Sequence, residues 1–328
     1  MQAFEYANPA TVQEAVGLLG NNWEDANLLA GGTDLLSLMK DYIHTPKRVV
    51  SLKGIKELEG IRKSEAGLRI GALVTLEELL RNADVRKEYP SLAAAARGVA
   101  SPQMRNMGTV GGDLCQRPRC WYFRLGFGLF AKGPNGESLV PNGDNRYHAI
   151  FNNRGPAYFV SASSFGPPLV ALGATVNLVS PSGTRELPIE KFFVTPESEN
   201  ARENVLAPNE ILTEILVPPA AGVRNATYEV RQKTALDFPL ATASVALRMQ
   251  GSRVASARIV LGHVAPAPWH AAAAEKVLTG KALDDTAIEQ AANAAVEGAT
   301  PLSMNAYKVQ LARVAVKRAL QEAAKART

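Results

Sequence analysis

The tightest constraint in this sequence is a glycine pair set between a short apolar run and a helical pattern. Residues 27–30 (Asn-Leu-Leu-Ala) read as a buried strand, Gly31 and Gly32 interrupt it, Thr33 and Asp34 follow, and 35–40 has helical spacing. Glycine admits positive φ and leaves no Cβ in the way of a ligand. Successive backbone N–H groups in such a turn make an anion-binding concavity, and the start of the next helix adds partial positive charge. A second pair, Gly111-Gly112, follows Thr109-Val110 and precedes Asp113. Together the two turns are suited to clasp a diphosphate from opposite sides, with Thr33 and Thr109 as hydroxyl donors. Each alone fits an empty tight turn. Neither matches G-x-G-x-x-G or G-x-x-x-x-G-K-[ST], which argues against a Rossmann dinucleotide site or a P-loop.

Around these turns the pattern alternates between short strands and short helices. The spacing predicts helices over 11–19, with Thr11 as cap, and over 76–81, where Thr75 and Glu78 stand at capping-box positions. It predicts a further helix over 92–99 capped by Ser91, ended by Ser101-Pro102, with an irregular segment leading to Gly108. Residues 48–52 and 67–72 read as strands, and 169–180 as apolar strand-like sequence before a turn at 181–183. The run 115–153, rich in Arg, Gly, Pro and Asn, has no periodicity and reads as a long loop. Val217-Pro-Pro-Ala-Ala-Gly222 is the clearest boundary. Beyond it come strands at 226–232, 241–249 and 253–262, then helices at 269–278, 285–296 and 305–324, an α+β order.

At 328 residues the chain has room for two or three subdomains. Hydrophobic residues at 46% with aromatics at 6% predict an aliphatic core, and 36 Lys and Arg against 31 Asp and Glu leave a mild +5. That excess suits a phosphate or an acidic partner, or simply a solubilised surface. No concentrated basic run suggests nucleic acid. No membrane span is expected, because the most apolar stretch, 157–179, is broken by serines, glycines and prolines. The N-terminal Met-Gln-Ala-Phe-Glu-Tyr lacks a basic region followed by an apolar stretch, so no export signal is expected there. Two cysteines, Cys115 and Cys120, do not make a disulfide scaffold. Reduced thiols in the loop, a Cys/His metal site with His148, and a disulfide all remain open. His44, His263 and His270 show no ligand spacing.

Five ordered segments resemble the FAD-binding medium subunits of the molybdenum hydroxylases, the group of xanthine dehydrogenase, carbon monoxide dehydrogenase and aldehyde oxidoreductase. They are Leu28-Leu-Ala-Gly-Gly-Thr-Asp-Leu-Leu36, Gln103-Met-Arg-Asn-Met-Gly-Thr-Val-Gly-Gly112, Pro168-Leu-Val-Ala-Leu-Gly-Ala-Thr-Val176, Leu261-Gly-His-Val-Ala-Pro-Ala-Pro-Trp269 and Pro301-Leu-Ser-Met-Asn-Ala-Tyr-Lys-Val309. The resemblance implies an α+β protein: a vanillyl-alcohol-oxidase-type FAD-binding fold of two subdomains (1–56 and 57–217, the latter with loop 115–153), then a C-terminal α+β domain (223–328) of the CO dehydrogenase flavoprotein type. It implies FAD as cofactor, a small partner subunit with [2Fe–2S] clusters, a large one with the molybdenum cofactor, and NAD or another electron acceptor. Electrons would pass from the clusters through FAD to the acceptor, with substrate oxidised on the molybdenum subunit, so no catalytic residue is expected in this chain. The alternative is a stand-alone flavin oxidoreductase of the same fold, for which no acid–base constellation is evident. A cytoplasmic location is expected, or export with a signal-bearing partner.

The FAD residues that carry over are Leu29, Ala30, Gly31, Gly32, Thr33, Asp34, Leu35 and Leu36 in the first loop, and Thr109, Gly111, Gly112 and Asp113 in the second. Arg105 and Asn106 are expected to support the second loop, with Lys233 and Asp237 near the flavin. Asp113 stands where relatives often have Asn, and a carboxylate there must point away from a diphosphate or take a ribityl hydroxyl. Ser164 stands where relatives commonly have Asp, which makes the flavin site less negative. Some relatives carry a four-cysteine [4Fe–4S] insertion. Here Cys120 matches its first ligand, and Gly128, Ser138 and Ala157 fall at the other three. Such a cluster needs four thiolates, so none is expected in this chain.

Overall fold

Three sheets follow one another along the chain in the computed structural model, which describes residues 1–99, 101–233 and 237–325. The first comprises β1 (Glu5–Ala7), α1 (Val12–Gly17), β2 (Ala26–Leu29), α2 (Leu35–Lys40) and β3 (Arg48–Ser51). Its strands are parallel in the order β1-β3-β2. Parallel neighbours need crossover connections, and the segments carrying α1 and α2 supply them. Thr11 caps α1 by accepting from Glu14 N at 3.1 Å. Val12, Ala15, Val16, Val50, Leu52, Ile55 and Leu58 close a small aliphatic core.

The second part comprises β4 (Ile61–Ser64), β5 (Gly67–Gly71), α3 (Leu76–Arg81), α4 (Ala83–Glu88), α5 (Pro90–Gly98), α6 (Pro102–Met107), α7 (Val110–Cys115), α8 (Trp121–Arg124), α9 (Gly166–Leu172), β6 (Thr175–Ser180), β7 (Gly183–Pro188) and β8 (Ile211–Val217). Its five strands pair antiparallel in the order β4-β5-β8-β6-β7. Leu68, Ile70, Val176, Leu178 and Ile215 of the sheet share one buried cluster with Leu79, Tyr89, Leu92 and Leu169 of the helices. The capping box of α3 is complete, with Thr75 and Glu78 each bonding the other's backbone.

Three local expectations are corrected here. Ser91 does not cap a helix: α5 begins at Pro90, and the Ser91 amide donates instead to Asn225 Oδ1 at 3.0 Å. Residues 102–107 are helical, because Ser101 accepts from Met104 N (3.3 Å) and Pro102 sits at the first helical position, where proline's missing N–H costs nothing. The apolar run from Leu169 starts as α9, turns at the left-handed Gly173, and becomes strand only at Thr175.

The third part comprises β9 (Val223–Val230), β10 (Ala241–Gln250), β11 (Arg253–Gly262), β12 (Trp269–His270), α10 (Ala272–Leu278), α11 (Asp285–Ala294) and α12 (Tyr307–Lys325). The sheet is antiparallel in the order β12-β11-β10-β9. Trp269 and His270, expected in a helix, pair with β11 instead. Ala312, Ala315, Val316, Ala319 and Ala323 give α12 a buried stripe at helical spacing against this sheet. The small side chains let helix and sheet approach closely.

The long stretch after α7 is irregular apart from α8 and is tied to the third part. Asn145 Nδ2 donates to Val140 O (3.1 Å) and Ser303 Oγ (2.9 Å), while Asn145 Oδ1 accepts from Met304 N (2.9 Å). Among the described residues no helix is long and apolar enough to cross a membrane.

Candidate functional site

A crevice of about 390 Å³ opens where the first two parts meet, within the usual range of ligand pockets. One wall is apolar, from Leu19, Leu28, Leu52, Leu73 and Ile211, which belong to or flank the first core. The other is polar and carries Arg117, Arg119, Arg202 and Arg231.

The two glycine segments meet here, backbone against backbone. A Cβ on Gly31 would lie 1.8 Å from Met107 O, so only glycine permits the contact. Gly32 adopts φ +76° and turns the chain into α2. Their amides, however, play different parts. Gly111 N donates to Ala72 O (3.0 Å), Gly112 N to Thr109 Oγ1 (3.1 Å), and Asp113 N to Thr109 O (2.9 Å). The second pair is therefore the first turn of α7, capped by Thr109 and pressed against the end of β5, not an open anion hollow. Among the described residues no acceptor takes the amides of Gly31, Gly32, Thr33 or Asp34. The available donors belong to the first turn alone.

Asp34, at the end of the first turn, organises the polar wall beside it. Its carboxylate takes Arg124 Nη2 at 2.8 Å, Arg119 Nη2 at 3.1 Å and Arg117 N at 2.9 Å. Burial raises its pKa, but Arg119 and Arg124 outweigh that and hold it below the usual carboxylate value. Burial in turn pulls the Arg117 and Arg119 guanidinium groups below their ordinary range. Buried nitrogens of Arg117, Arg119, Arg124 and Arg202 lack an aligned hydrogen-bond acceptor among the described residues, although Arg117 Nε lies 3.2 Å from Glu203. Those nitrogens are enclosed, so what the desolvated guanidinium groups offer an anion in the crevice is their positive charge. His44 contributes no charge: burial, aided by Arg117, lowers its pKa to about 4.

Asp113 faces away from the crevice's donors, as a carboxylate beside a diphosphate must. It accepts from Ser163 Oγ (2.5 Å), Phe165 N (3.0 Å) and Gln116 Nε2 (2.9 Å), and so ties α7 to the start of α9. Burial pushes its pKa up to about 6 against these bonds. Ser164 lines the crevice but does not leave the region without a carboxyl group. Glu229 of β9 stands beside it, its side chain largely buried against Arg231, and burial pushes Glu229 up to about 7 despite that arginine.

Of the expected site residues, Ala30, Gly31, Gly32, Thr33, Asp34, Leu35, Thr109, Gly111, Gly112, Asp113 and Ser164 line the crevice, as does Asp237. Leu29, Leu36, Arg105, Asn106 and Lys233 are outside its lining. Leu29 and Leu36 pack beside Gly32. Arg105 is drawn to Glu77 (3.0 Å) and Asn106 to Pro102 O (2.8 Å), both outside the crevice, while Lys233 is exposed and its amide donates to Asp237. Thr234, Ala235 and Leu236 of the expected flavin segment lie outside the described residues.

Arg117, Arg119, Arg202 and Glu229 were not expected. The Gln116-Arg-Pro-Arg119 run carried a signal in its charge density; Arg202 and Glu229 carried none. The cysteines part company: Cys115 lines the crevice, its thiol pushed up to about 12 by burial, and Cys120 lies in a separate apolar cluster with Phe123, Phe130, Ala157 and Phe159. One thiol among phenylalanines does not fit a four-thiolate cluster. Both cysteines are free, and among the described residues no three His, Cys, Asp or Glu side chains gather as metal ligands.

Residues 2–220 match the family described as the FAD binding domain in molybdopterin dehydrogenase, and residues 226–323 the CO dehydrogenase flavoprotein C-terminal domain. The carbon monoxide dehydrogenase medium chain of Hydrogenophaga pseudoflava is 33% identical over 324 residues, covering 98% of this chain and 96% of that one. The aldehyde oxidoreductase FAD-binding subunit PaoB of Escherichia coli K12 is 31% identical over 328 residues, covering 98% and 99%. Among solved structures, the Hydrogenophaga pseudoflava carbon monoxide dehydrogenase lacking the Mo-pyranopterin moiety superposes with a TM-score of 0.77 at 33% identity, over 98% of this chain and 97% of that chain. Quinoline 2-oxidoreductase of Pseudomonas putida 86 gives a TM-score of 0.77 at 27% identity, over 99% and 98%.

Proposed function

Because the chain belongs to the FAD-binding subunits of the molybdenum hydroxylases, we propose that it is the electron-transfer link of a three-part complex. A small subunit with [2Fe–2S] clusters delivers electrons, a large molybdenum subunit oxidises the substrate, and NAD or another acceptor takes the electrons from this chain. FAD, when bound, supplies the step between one-electron and two-electron carriers.

The protein's part is to hold and tune. The amides of Gly31, Gly32, Thr33 and Asp34 and the guanidinium groups of Arg117, Arg119 and Arg202 would hold the diphosphate. Thr109, Gly111 and Gly112 set the spacing of the cradle, and Asp113 fixes the loop that carries Ser164. Leu29 and Leu36 buttress the turn, while Arg105 and Asn106 steady α6 behind it. Glu229 and Arg231 would set the charge beside the isoalloxazine ring. The reading divides the chain at 1–56, 57–217 and 223–328 and keeps the complex in the cytoplasm, in accord with two unpaired cysteines.

The observation that carries this reading is the coincidence, in one crevice, of unused amides in the first glycine turn and desolvated guanidinium groups gathered beside it on Asp34. The test uses the purified chain without partners. It should carry FAD near one per chain and fail to oxidise aldehydes or N-heterocycles until both partners are added. Colourless protein that refuses added FAD would sink the reading, and oxidation by the lone chain would favour a stand-alone oxidoreductase.

A further inference from the structure

Of the arginines that line the crevice, three meet a carboxylate of the protein. Arg117 Nε lies 3.2 Å from Glu203, Arg119 Nη2 lies 3.1 Å from Asp34, and Arg231 is paired with Glu229. Arg202 differs. Among the described residues no Asp or Glu stands within ion-pair distance of it, and none of the remaining residues is an Asp or Glu. In a partly dry crevice a charge left without a counter-ion gains more from a ligand anion than one already met.

Arg202 belongs to the segment between β7 and β8, yet three residues of the first part hold it. Its guanidinium carbon lies over the Trp23 ring, 4.2 Å from the centroid, a favourable seat for a planar cation. Its Nη1 lies 3.4 Å from His44 Nε2. On the far side of the imidazole, His44 Nδ1 lies 3.1 Å from Asn27 Oδ1. Asn27 Nδ2 donates to Trp23 O and to Ala26 O, both at 2.8 Å.

These bonds settle one another. The two carbonyls fix the orientation of the Asn27 amide, so its Oδ1 accepts. His44 Nδ1 must then carry the ring proton, and Nε2 is left as the acceptor that Arg202 Nη1 needs. A protonated His44 would repel the guanidinium instead. Burial and Arg117 keep it neutral, with a pKa lowered to about 4. The circuit runs from Trp23 through Asn27 and His44 to Arg202 and back onto the Trp23 ring. All four residues line the crevice. They stand near the first glycine turn, because the charges of Asp34 and Arg117 act on His44.

Resting on the flavin reading above, we infer that Arg202 is the charge by which the crevice selects a phosphorylated flavin over an unphosphorylated one, and that Trp23, Asn27 and His44 position it. The amides of the first turn set where the diphosphate lies. Arg202 supplies a charge that no carboxylate of the described residues has cancelled.

The test is calorimetric titration of the flavin-free chain with FAD and with riboflavin, which keeps the ring and ribityl chain but has no phosphate. Arg202→Gln should weaken FAD about tenfold or more, the worth of a hydrogen bond to a charged group, and leave riboflavin unchanged. It strands no buried carboxylate, so the variant is expected to fold. Arg202→Lys, which restores the charge, should recover part of the loss. His44→Phe keeps a ring and removes the acceptor; it should weaken FAD several-fold, again with riboflavin unchanged. Equal weakening of both flavins in Arg202→Gln, or unchanged FAD affinity, overturns the assignment. Full FAD affinity in His44→Phe overturns the positioning role. If riboflavin binds too weakly to titrate, salt decides: FAD affinity should fall less steeply with ionic strength in Arg202→Gln than in wild type, and equal slopes overturn the assignment. A wild-type chain that refused FAD would sink the flavin reading itself, and inorganic pyrophosphate would then be the probe. Binding lost in Arg202→Gln would uphold Arg202 as the phosphate's partner; no binding, or binding unchanged in the variant, would overturn it.

Discussion

At Gly31 a methyl group would collide with Met107 O rather than with a side chain able to move aside. Gly31→Ala must therefore push two backbone segments apart, and a loss of about 1–3 kcal/mol is expected from overpacking alone. Its flavin content after purification should fall sharply, whereas Gly17→Ala, at the end of α1 with nothing within 4 Å of the added methyl group, should leave flavin content unchanged. Asp34 is the second decisive residue, with Arg119 and Arg124 both leaning on it. Asp34→Asn leaves those charges buried and unpaired, at about 3–5 kcal/mol in denaturant unfolding at neutral pH. The sign follows from its depressed folded pKa: the carboxylate's stabilisation is present above the unfolded value and fades as pH falls through the folded one. The gap between wild type and Asp34→Asn should thus narrow in acid; a constant gap would show that the arginines are held by something else. Ser164→Asp tests the tuning role. Burial pushes Glu229, beside the new carboxylate, up to about 7, and two adjacent carboxyls resist ionising together, so the downward shift of the flavin potential should be smallest just above that pH, where Glu229 is ionised in the wild type and neutral in the variant. A shift independent of pH would remove Glu229 from the flavin's surroundings.

Among the elements, α5 shows most clearly how neighbours replace local signals. Ser91 looked like a cap, yet among the described residues its hydroxyl is buried without a partner, and its own amide donates to Asn225 of β9. Asn225 Nδ2 also holds Glu88 O at 2.9 Å, at the end of α4. Asn225→Ala should cost about 1–3 kcal/mol, the price of leaving buried backbone groups unmatched. Ser91→Ala should be neutral or slightly stabilising in the same unfolding assay. The opposite ranking would restore Ser91 as the cap. In α7 the local signal does operate: Thr109 accepts from Gly112 N at 3.1 Å, and Thr109→Ala is expected to lose about 1 kcal/mol and to loosen flavin.

For the whole molecule, acid stability depends on groups buried in different parts of the fold. His44, His148 and His263 have folded pKa values near 4, 4 and 3, all below the unfolded 6.5, so unfolding takes up their protons as pH falls from about 6.5 toward 4. Asp113 and Glu229, at about 6 and 7, act oppositely and release protons on unfolding in that window. Three uptakes against two releases leave about one net proton, a loss of about 1.4 kcal/mol per pH unit on acidification from these groups. Asp113→Asn removes one release and should steepen the slope toward two protons, read from unfolding free energies at several pH values. An unchanged slope would mean that Asp113 is ionised throughout.

What could be read along the chain was whatever a few neighbouring residues decide. Thr11 and Thr75 announced their caps, Gly31-Gly32 announced the turn into α2, and five ordered motif segments carried the resemblance to the family. These are interactions between residues three or four apart, or steric rules of one residue. The tertiary structure alone decided where long side chains and spare donors converge. Arg202 reaches His44 across 158 positions and Lys308 reaches Tyr147 across 161. The amides of Gly111 and Gly112 are used inside the protein because β5 and Thr109 stand against them. Charge density along the chain could not tell which arginines would lose their water, since desolvation belongs to the packed interior and to no stretch of sequence.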